Sequence, residues 1–126
     1  MKVKKLYHTV LKDGGITVTP RLVRVKRQVG FFVSIKEAET ILDLKEFTPD
    51  TLNQSIKNIH SSILRLKYHI GSREWFIGIW VDKANEKVYI DISVWIKNRE
   101  QAVQKGIDEG QIAIWDIENG QEIYLK

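Results

Sequence analysis

The side chains best suited to bind a ligand stand at alternate positions between residues 76 and 95. A four-residue connection, Lys83 to Glu86, would join two strands and pair Trp80 with Tyr89 and Gly78 with Asp91. One face would then carry Phe76, Gly78, Trp80, Tyr89, Asp91, Ser93 and Trp95. Rings with a carboxylate and a glycine between them suit a base and a ribose, since rings stack on bases and carboxylates accept from hydroxyl groups. Alternatively, a helix or a partner subunit covers this face and the rings only pack.

Arg99 stands at what the sequence predicts to be the first position of a helix, directly after the N-cap Asn98. A cation there opposes the positive end of the helix dipole, at a cost of about 0.3 to 1 kcal/mol. Free backbone N–H groups, the Asn98 side chain and the guanidinium would together form an anion site that suits a diphosphate. A solvated arginine, or one paired with a nearby acid, is the alternative.

The densest group of basic residues contains no acid. Its members are Arg21, Arg24, Lys26 and Arg27. As a nucleic-acid surface they would contact phosphates from a short β-ribbon, and binding would weaken steeply with salt. One or two of them, here Arg24 and Arg27, could instead line a ligand pocket, and plain solvated charge is the third interpretation.

The net charge of +4 is distributed unevenly along the chain. Residues 1–36 carry six Lys and three Arg against Asp13 alone, a net charge of +8, and the other residues carry a net −4. A basic flank attracts phosphates, nucleic acid or an acidic partner, including the acidic half of its own copy.

No residue pattern indicates catalysis or a metal site. The sequence has no cysteine and therefore lacks thiolate ligands and a cysteine nucleophile. His60 and His69 are nine residues apart, which does not place them on one helix face as an i, i+4 metal pair would be. Asp91 could act as a base but has no evident acid partner. We therefore expect no enzymatic activity, no metal and no cofactor.

Alternating apolar residues predict an antiparallel sheet. The clearest hairpin runs from Glu74 to Ile96, and two rows of aliphatic side chains form its core face. Further strands are expected over residues 6–12, 16–25, 31–35, 112–117 and 122–125, with a first turn at Asp13-Gly14-Gly15. Residues 37–46 are assigned to a loop or one helical turn.

Two helices complete the predicted fold. The first starts at Thr48-Pro49-Asp50, and its apolar residues recur at steps of four and three as far as Ile70. It is expected to lie across the sheet, or else to pair with its own copy in a dimer. The second spans Asn98 to about Glu109. The order β-β-β-α-β-β-α-β-β is an α+β fold, an antiparallel sheet of six to seven strands with one long and one shorter helix.

Length and composition fit a single intracellular domain. The 126 residues are 43% apolar and 29% charged, typical of one folded core. The longest apolar run, Trp75 to Val81, has seven residues, where a bilayer span needs about 20. The N-terminus has no apolar stretch like that of a secretion signal. We expect one domain over residues 1–126, in the cytoplasm and without a membrane partner.

Three segments together resemble a known family. They are Asp13-Gly14-Gly15-Ile16-Thr17, Gly30-Phe31-Phe32-Val33-Ser34, and Val88 to Ser93 leading into Asn98-Arg99-Glu100-Gln101-Ala102 and Gln111 to Asp116. In these segments the chain resembles the Thoeris anti-defence proteins of the first type, which are small phage proteins. The resemblance covers most of the chain except residues 37–73. The stretch from Pro20 to Gln28 is more basic than the family pattern.

The resemblance implies a binding function. Family members hold the defence signal glycocyclic ADP-ribose without degrading it, in pockets where subunits of a homo-oligomer meet. Some also capture cyclic oligonucleotides at separate sites. Within matching segments, the resemblance implies ligand contacts from Asp91, Ser93, Asn98 and Arg99. The chemistry of the residues adds Trp80, Trp95, Arg24 and Arg27.

Three functions remain as hypotheses. The first is a phage-encoded sponge that sequesters this cyclic ADP-ribose isomer in the infected host and so suppresses Thoeris immunity. The second is a small basic nucleic-acid-binding module. The third, an enzyme that hydrolyses the nucleotide, finds no support in the residue pattern.

Overall fold

The structure is a computed structural model that describes residues 1–125, where a seven-stranded antiparallel sheet and four α-helices are present. The strands are β1 Gly15–Val18, β2 Phe31–Ser34, β3 Thr40–Asp43, β4 Trp75–Asp82, β5 Lys87–Ile96, β6 Ala113–Asp116 and β7 Gln121–Tyr124. The helices are α1 Val3–Asp13, α2 Pro49–Ser62, α3 Lys67–Ile70 and α4 Arg99–Asp108. The predicted α+β class, single domain and number of strands are confirmed.

The β4–β5 hairpin has the predicted register. Trp80 pairs with Tyr89, and Gly78 pairs with Asp91. The aliphatic rows lie on the opposite face, where Ile77, Ile79 and Ile90 are fully buried. Burying each such side chain stabilises the fold by about 1.5 to 3 kcal/mol, so a slip of one residue would be strongly disfavoured.

Strands β2 and β3 lie one after the other along the same side of β5. Residues 31–34 pair with residues 93–96, and residues 40–43 pair with residues 87–90. The N–H of Ile35 still donates to the Ile92 carbonyl at 3.0 Å, and residues 36–39 then leave the pairing next to Asp91. The complete order across the sheet is β1-β4-β5-β2-β6-β7, with β3 beside β5.

The helices cover one face of the sheet. Leu6 on α1, Leu52 on α2 and Ala102 on α4 are fully buried in the same core as the hairpin's aliphatic rows. Helix α4 lies very close to β6, since a Cβ on Gly106 would stand 2.8 Å from Ile114 Cγ2. Within residues 1–125, no helix covers the other face, which is the face of Gly78 and Asp91. No helix in these residues is both long and apolar enough to cross a bilayer.

The prediction of a strand over residues 6–12 is wrong, because this segment belongs to α1. Leu6 and Val10 are fully buried, and Val3 and Tyr7 pack beside them, which is the spacing of a helix face. Gly14 is then not a hairpin turn. It has φ +82° and donates its N–H to the carbonyl of Val10 at 2.8 Å, which ends the helix.

The predicted long helix is also shorter than expected. It starts as predicted at the Thr48 cap but ends at Ser62, and only the short α3 follows before Gly71. The Ser61 and Ser62 hydroxyls donate to the carbonyls of Lys57 and Ile59 at 3.0 and 2.8 Å, and such bonds compete with regular helix. The apolar spacing continues past the break because Leu66 and Ile70 remain buried.

Two further predictions need correction. The strand expected over residues 16–25 ends at Val18, and the following loop keeps one isolated bridge, between Val18 and Arg24. Val23 is 53% exposed, so its alternation with Val25 marks no buried face. Residues 37–46 contain β3 and a 3-10 turn at Leu44–Glu46 rather than a loop alone.

Candidate functional site

A cavity of about 280 Å³ opens on the face of the sheet that the helices leave uncovered. It lies over the middle of β4, β5 and β2 and is bounded by β6 and β7. Its lining residues are Thr17, Phe32, Ser34, Glu39, Gly78, Trp80, Tyr89, Asp91, Ser93, Ala113, Ile114, Trp115 and Glu122. This volume fits a group of the size of a nucleoside base or a sugar.

Two tryptophan rings form a wall of the cavity. The ring centroids of Trp80, on β4, and Trp115, on β6, are 6.1 Å apart, with an angle of 49° between the ring planes. Trp80 pairs with Tyr89 on β5, whereas Trp115 is in register, through Phe32 on β2, with Trp95. These positions are three strands and six residues apart, which is more than about 20 Å in a flat sheet. The sheet must therefore curve around the cavity to bring the two rings together. A planar ligand could stack against either ring.

The floor of the cavity is polar. Ser34 Oγ donates a hydrogen bond to Asp91 Oδ2 at 3.1 Å, and Ser93 lies in register beside Ser34. Gly78 makes room for the carboxylate, because a Cβ at this position would stand 2.6 Å from Asp91 Oδ1. No other residue type would leave this space open.

The environment of Asp91 disfavours its charged form. The residue is 8% exposed, and burial raises the pKa of its carboxyl group to about 6. The hydrogen bond from Ser34 opposes this increase, and the negative charge of Glu39 adds to it. At pH 7 the group is therefore mostly ionised, but it is a better proton acceptor than an ordinary aspartate.

The side chains that line the cavity and are charged near neutral pH are all carboxylates. They are those of Glu39, Asp91 and Glu122. Within residues 1–125, no lysine, arginine or histidine lines it. Such a lining attracts hydroxyl, amino and cationic groups and repels phosphate.

The loop that carries Glu39 is anchored from the helix side of the sheet. Glu109 is 6% exposed and accepts hydrogen bonds from the Lys36 N–H at 2.7 Å and from His69 Nδ1 at 2.8 Å. Lys105 lies beside the same carboxylate, with its Nζ 3.4 Å from Glu109 Oε2. Burial alone would raise the pKa of Glu109, but these partners outweigh it and lower the pKa. Glu109 thereby fixes the backbone at Lys36, three residues before Glu39.

Replacing this anchor is expected to destabilise the protein. Glu109→Ala leaves the Lys36 N–H and the His69 ring without their acceptor, which should lower the free energy of unfolding by about 1 to 3 kcal/mol. Urea denaturation of wild type and variant measures this change. Asp108→Ala, at an exposed neighbour on α4, is the control and should change stability by less than about 0.5 kcal/mol. Equal effects of the two substitutions would contradict the anchoring role.

Three of the residues expected at the site line the cavity: Trp80, Asp91 and Ser93. Trp95 does not line it, although it is on the same face of the sheet. Its Nε1 donates to the Val29 carbonyl at 2.9 Å, and the Arg27 guanidinium lies 4.0 Å from the centre of its ring. Arg27 also forms an ion pair with Glu74.

The other expected residues lie outside the cavity as well. Arg24 pairs with Asp13 at 3.6 Å on the surface. Asn98 is the N-cap of α4, and its Oδ1 accepts from the Gln101 N–H at 2.9 Å, as the sequence predicts. Arg99 is exposed at the first position of this helix. A single chain therefore does not bring these three residues into contact with Asp91.

Sequence reasoning missed several residues of the cavity, above all Trp115, Phe32, Ser34, Glu39 and Glu122. Side chains two residues apart in a strand lie on the same face. The sequence therefore predicts that Phe32 shares a face with Ser34 in one strand, and Ala113 with Trp115 in another. The sequence did not predict which strands are neighbours in the sheet, because β2 pairs with both β5 and β6, which are distant from it in the chain.

Within residues 1–125, no group of three or more His, Asp or Glu side chains is arranged to hold a metal ion. Comparison of the chain with family models, with curated proteins and with solved structures found no match. The fold and the cavity themselves define the class, an α+β protein whose antiparallel sheet carries helices on one face and an aromatic, acidic cavity on the other.

Proposed function

We propose that this protein is a phage anti-defence sponge that binds glycocyclic ADP-ribose and sequesters it without cleaving it. The observation that carries the proposal is the cavity itself, in which two tryptophan rings stand above a buried aspartate and two serines. Rings supply stacking surface for a base, and Asp91 with Ser34 and Ser93 supplies acceptors and donors for ribose hydroxyl groups.

The charge of the cavity determines which part of the ligand enters. The carboxylates of Glu39, Asp91 and Glu122 would repel the two phosphates of the ligand. The adenosine part of the cyclic ligand therefore occupies the cavity, and the diphosphate lies outside it. Cations for the phosphates then come from a second copy of the chain. Arg99 is the best candidate, because it is exposed at the start of α4 beside free backbone N–H groups. This is the reason to propose a homo-oligomer with pockets between subunits.

Sequestration requires only tight binding. The free signal falls if the concentration of pockets exceeds that of the signal and Kd lies well below the level that activates the defence. A nanomolar Kd corresponds to about 12 kcal/mol, which calls for a ligand enclosed on most sides. The protein would act in the cytoplasm of the infected host, and cyclic oligonucleotides are a further ligand class for a separate site.

The sponge proposal is tested by incubating the protein with glycocyclic ADP-ribose, denaturing it by heat and analysing the released ligand. Binding measured by calorimetry, followed by recovery of the intact signal, is the expected result. Trp80→Ala should weaken binding about ten- to a hundredfold, since stacking on an aromatic side chain contributes about 1 to 3 kcal/mol per base. Tyr68→Ala is the control, because Tyr68 is 99% exposed on α3, away from the cavity.

Two results would contradict the proposal. Recovery of a cleaved product would indicate an enzyme, and absence of any binding to wild-type protein would exclude the sponge.

A nucleic-acid-binding module is the second candidate, and one observation favours it. Helix α1 exposes Lys4, Lys5 and Lys12, with Lys2 exposed at its N-cap, and Arg24 pairs with Asp13 at its other end. A basic surface therefore runs along this helix. Salt-sensitive retention of labelled duplex or single-stranded nucleic acid, together with no binding of the cyclic signal, would favour this module over the sponge.

A further inference from the structure

We propose that the cavity prefers a positively charged ring, so that an N-alkylated purine or a pyridinium binds more tightly than a neutral ring of the same size. The inference rests on the proposed function in one respect, namely that this cavity is the ligand site. It goes beyond that function, because the adenine of glycocyclic ADP-ribose is uncharged and a cationic ring is a further class of ligand.

The aromatic side chains favour a cation. Trp80 and Trp115 approach each other above the cavity, and Tyr89 and Phe32 line it with them. The face of an aromatic ring is negative, and an organic cation over it is attracted by about 0.5 to 2 kcal/mol. Several rings around one cavity form the kind of cage that holds alkylated ammonium groups.

The carboxylates of the cavity lack cationic partners. Within residues 1–125, neither Glu39 nor Glu122 takes part in an ion pair, whereas Asp13, Asp43 and Glu109 do. The carboxylate of Asp91 is 8% exposed and has the Ser34 hydroxyl as its hydrogen-bond donor. Buried charges in proteins are normally paired, so the missing partner of Asp91 is a position for a cation.

The geometry allows the ligand to be that partner. Asp91 Oδ1 lies over Gly78, which itself lines the cavity, and the absence of a Cβ there keeps the oxygen accessible. A planar cation stacked on Trp80 would have its charge near this oxygen and between Glu39 and Glu122. A neutral ring would stack equally well but would leave the carboxylates unpaired.

Two methylated nucleosides of equal size test the inference. At pH 7, 1-methyladenosine carries a positive charge on its ring, whereas N6-methyladenosine is neutral. We expect 1-methyladenosine to bind about tenfold more tightly in calorimetric titrations, a factor that corresponds to about 1.4 kcal/mol. In Asp91→Asn the preference should fall most of the way to unity. Glu39→Gln, at an exposed position, should reduce it less and provides a second, independent variant.

Each outcome bears on the inference separately from the sponge proposal. Equal affinities of the two nucleosides in the wild type, or no binding of either, would overturn the preference for a cation even if glycocyclic ADP-ribose is retained. A clear preference for 1-methyladenosine with no binding of glycocyclic ADP-ribose would support the inference and exclude the sponge.

Discussion

Gly78→Ala is expected to abolish ligand binding in the cavity while the protein remains folded. The added Cβ would stand 2.6 Å from Asp91 Oδ1, inside the contact distance of any real side chain, so the carboxylate must move. It would also lie 3.3 Å from Trp80 Nε1, and the stacking wall would shift with it. Loss of a charged hydrogen-bonding group and of the stacking surface together should weaken binding by at least about a hundredfold.

Gly78→Ala should also lower the free energy of unfolding, but not enough to unfold the protein. Crowding a buried site by one methyl group costs about 1 to 3 kcal/mol. Gly106→Ala is a matched control, because its Cβ would stand 2.5 Å from Leu125 Cδ1 on the helix-covered side of the sheet. Both variants should show lower Tm in thermal denaturation, but calorimetry should show lost binding for Gly78→Ala alone. Equal binding by the two variants would remove Gly78 and Asp91 from the site.

Asp91→Asn is expected to stabilise the protein at neutral pH by about 3 kcal/mol. In the folded protein, burial first and the Glu39 charge second raise the pKa of Asp91 to about 6, from its ordinary value of 3.8. Each pH unit of such a difference corresponds to about 1.4 kcal/mol. Because the folded state binds the proton more tightly than the unfolded state, stability decreases as pH rises from about 4 to above 6. Asparagine has no such cost and keeps an oxygen that can accept from Ser34.

The dependence on pH separates this effect from a general change in packing. Near pH 4 the aspartate is protonated in the folded state, and the variant and wild type should be nearly equally stable. The difference in free energy of unfolding should grow up to about pH 7 and then level off, as measured by urea denaturation at several pH values. A constant difference across this range would contradict the burial of an ionised carboxylate.

Asp82→Asn provides a control of opposite sign. Hydrogen bonds from the Asn85 side chain and backbone lower the pKa of Asp82, so its carboxylate form is favoured in the folded state. Its contribution to stability is present at neutral pH and is lost as pH falls through the lowered pKa. Asp82→Asn should therefore be less stable than wild type at pH 7, while Asp91→Asn is more stable. The buried carboxylate of Asp91 therefore lowers the stability of the protein, as is expected of a group that serves function rather than stability.

Local patterns were sufficient for some elements and not for others. The hairpin register followed from alternation and from the length of the connection, because a four-residue loop leaves few ways to pair Asp82 with Lys87. The Asn98 cap of α4 followed from its side chain alone. Residues 6–12 were ambiguous, since Leu6 and Val10 satisfy both a loose alternation and a helical spacing. Packing of α1 against β1 and α2 decided for the helix.

The sequence by itself determined which residues of the hairpin share a face, because strand geometry alternates side chains whatever lies around them. The sequence therefore predicted correctly that one face of the hairpin carries Trp80, Asp91 and Ser93. The tertiary structure alone decided what stands opposite them. Pairing between distant strands depends on the burial of the whole sheet, which local patterns do not contain. That pairing brings Trp115, Glu39 and Glu122 to the cavity. It leaves outside the cavity the expected residues Arg24, Arg27, Asn98 and Arg99. The acidic character of the site, and with it the preference for a cationic ring that we propose, results from that pairing.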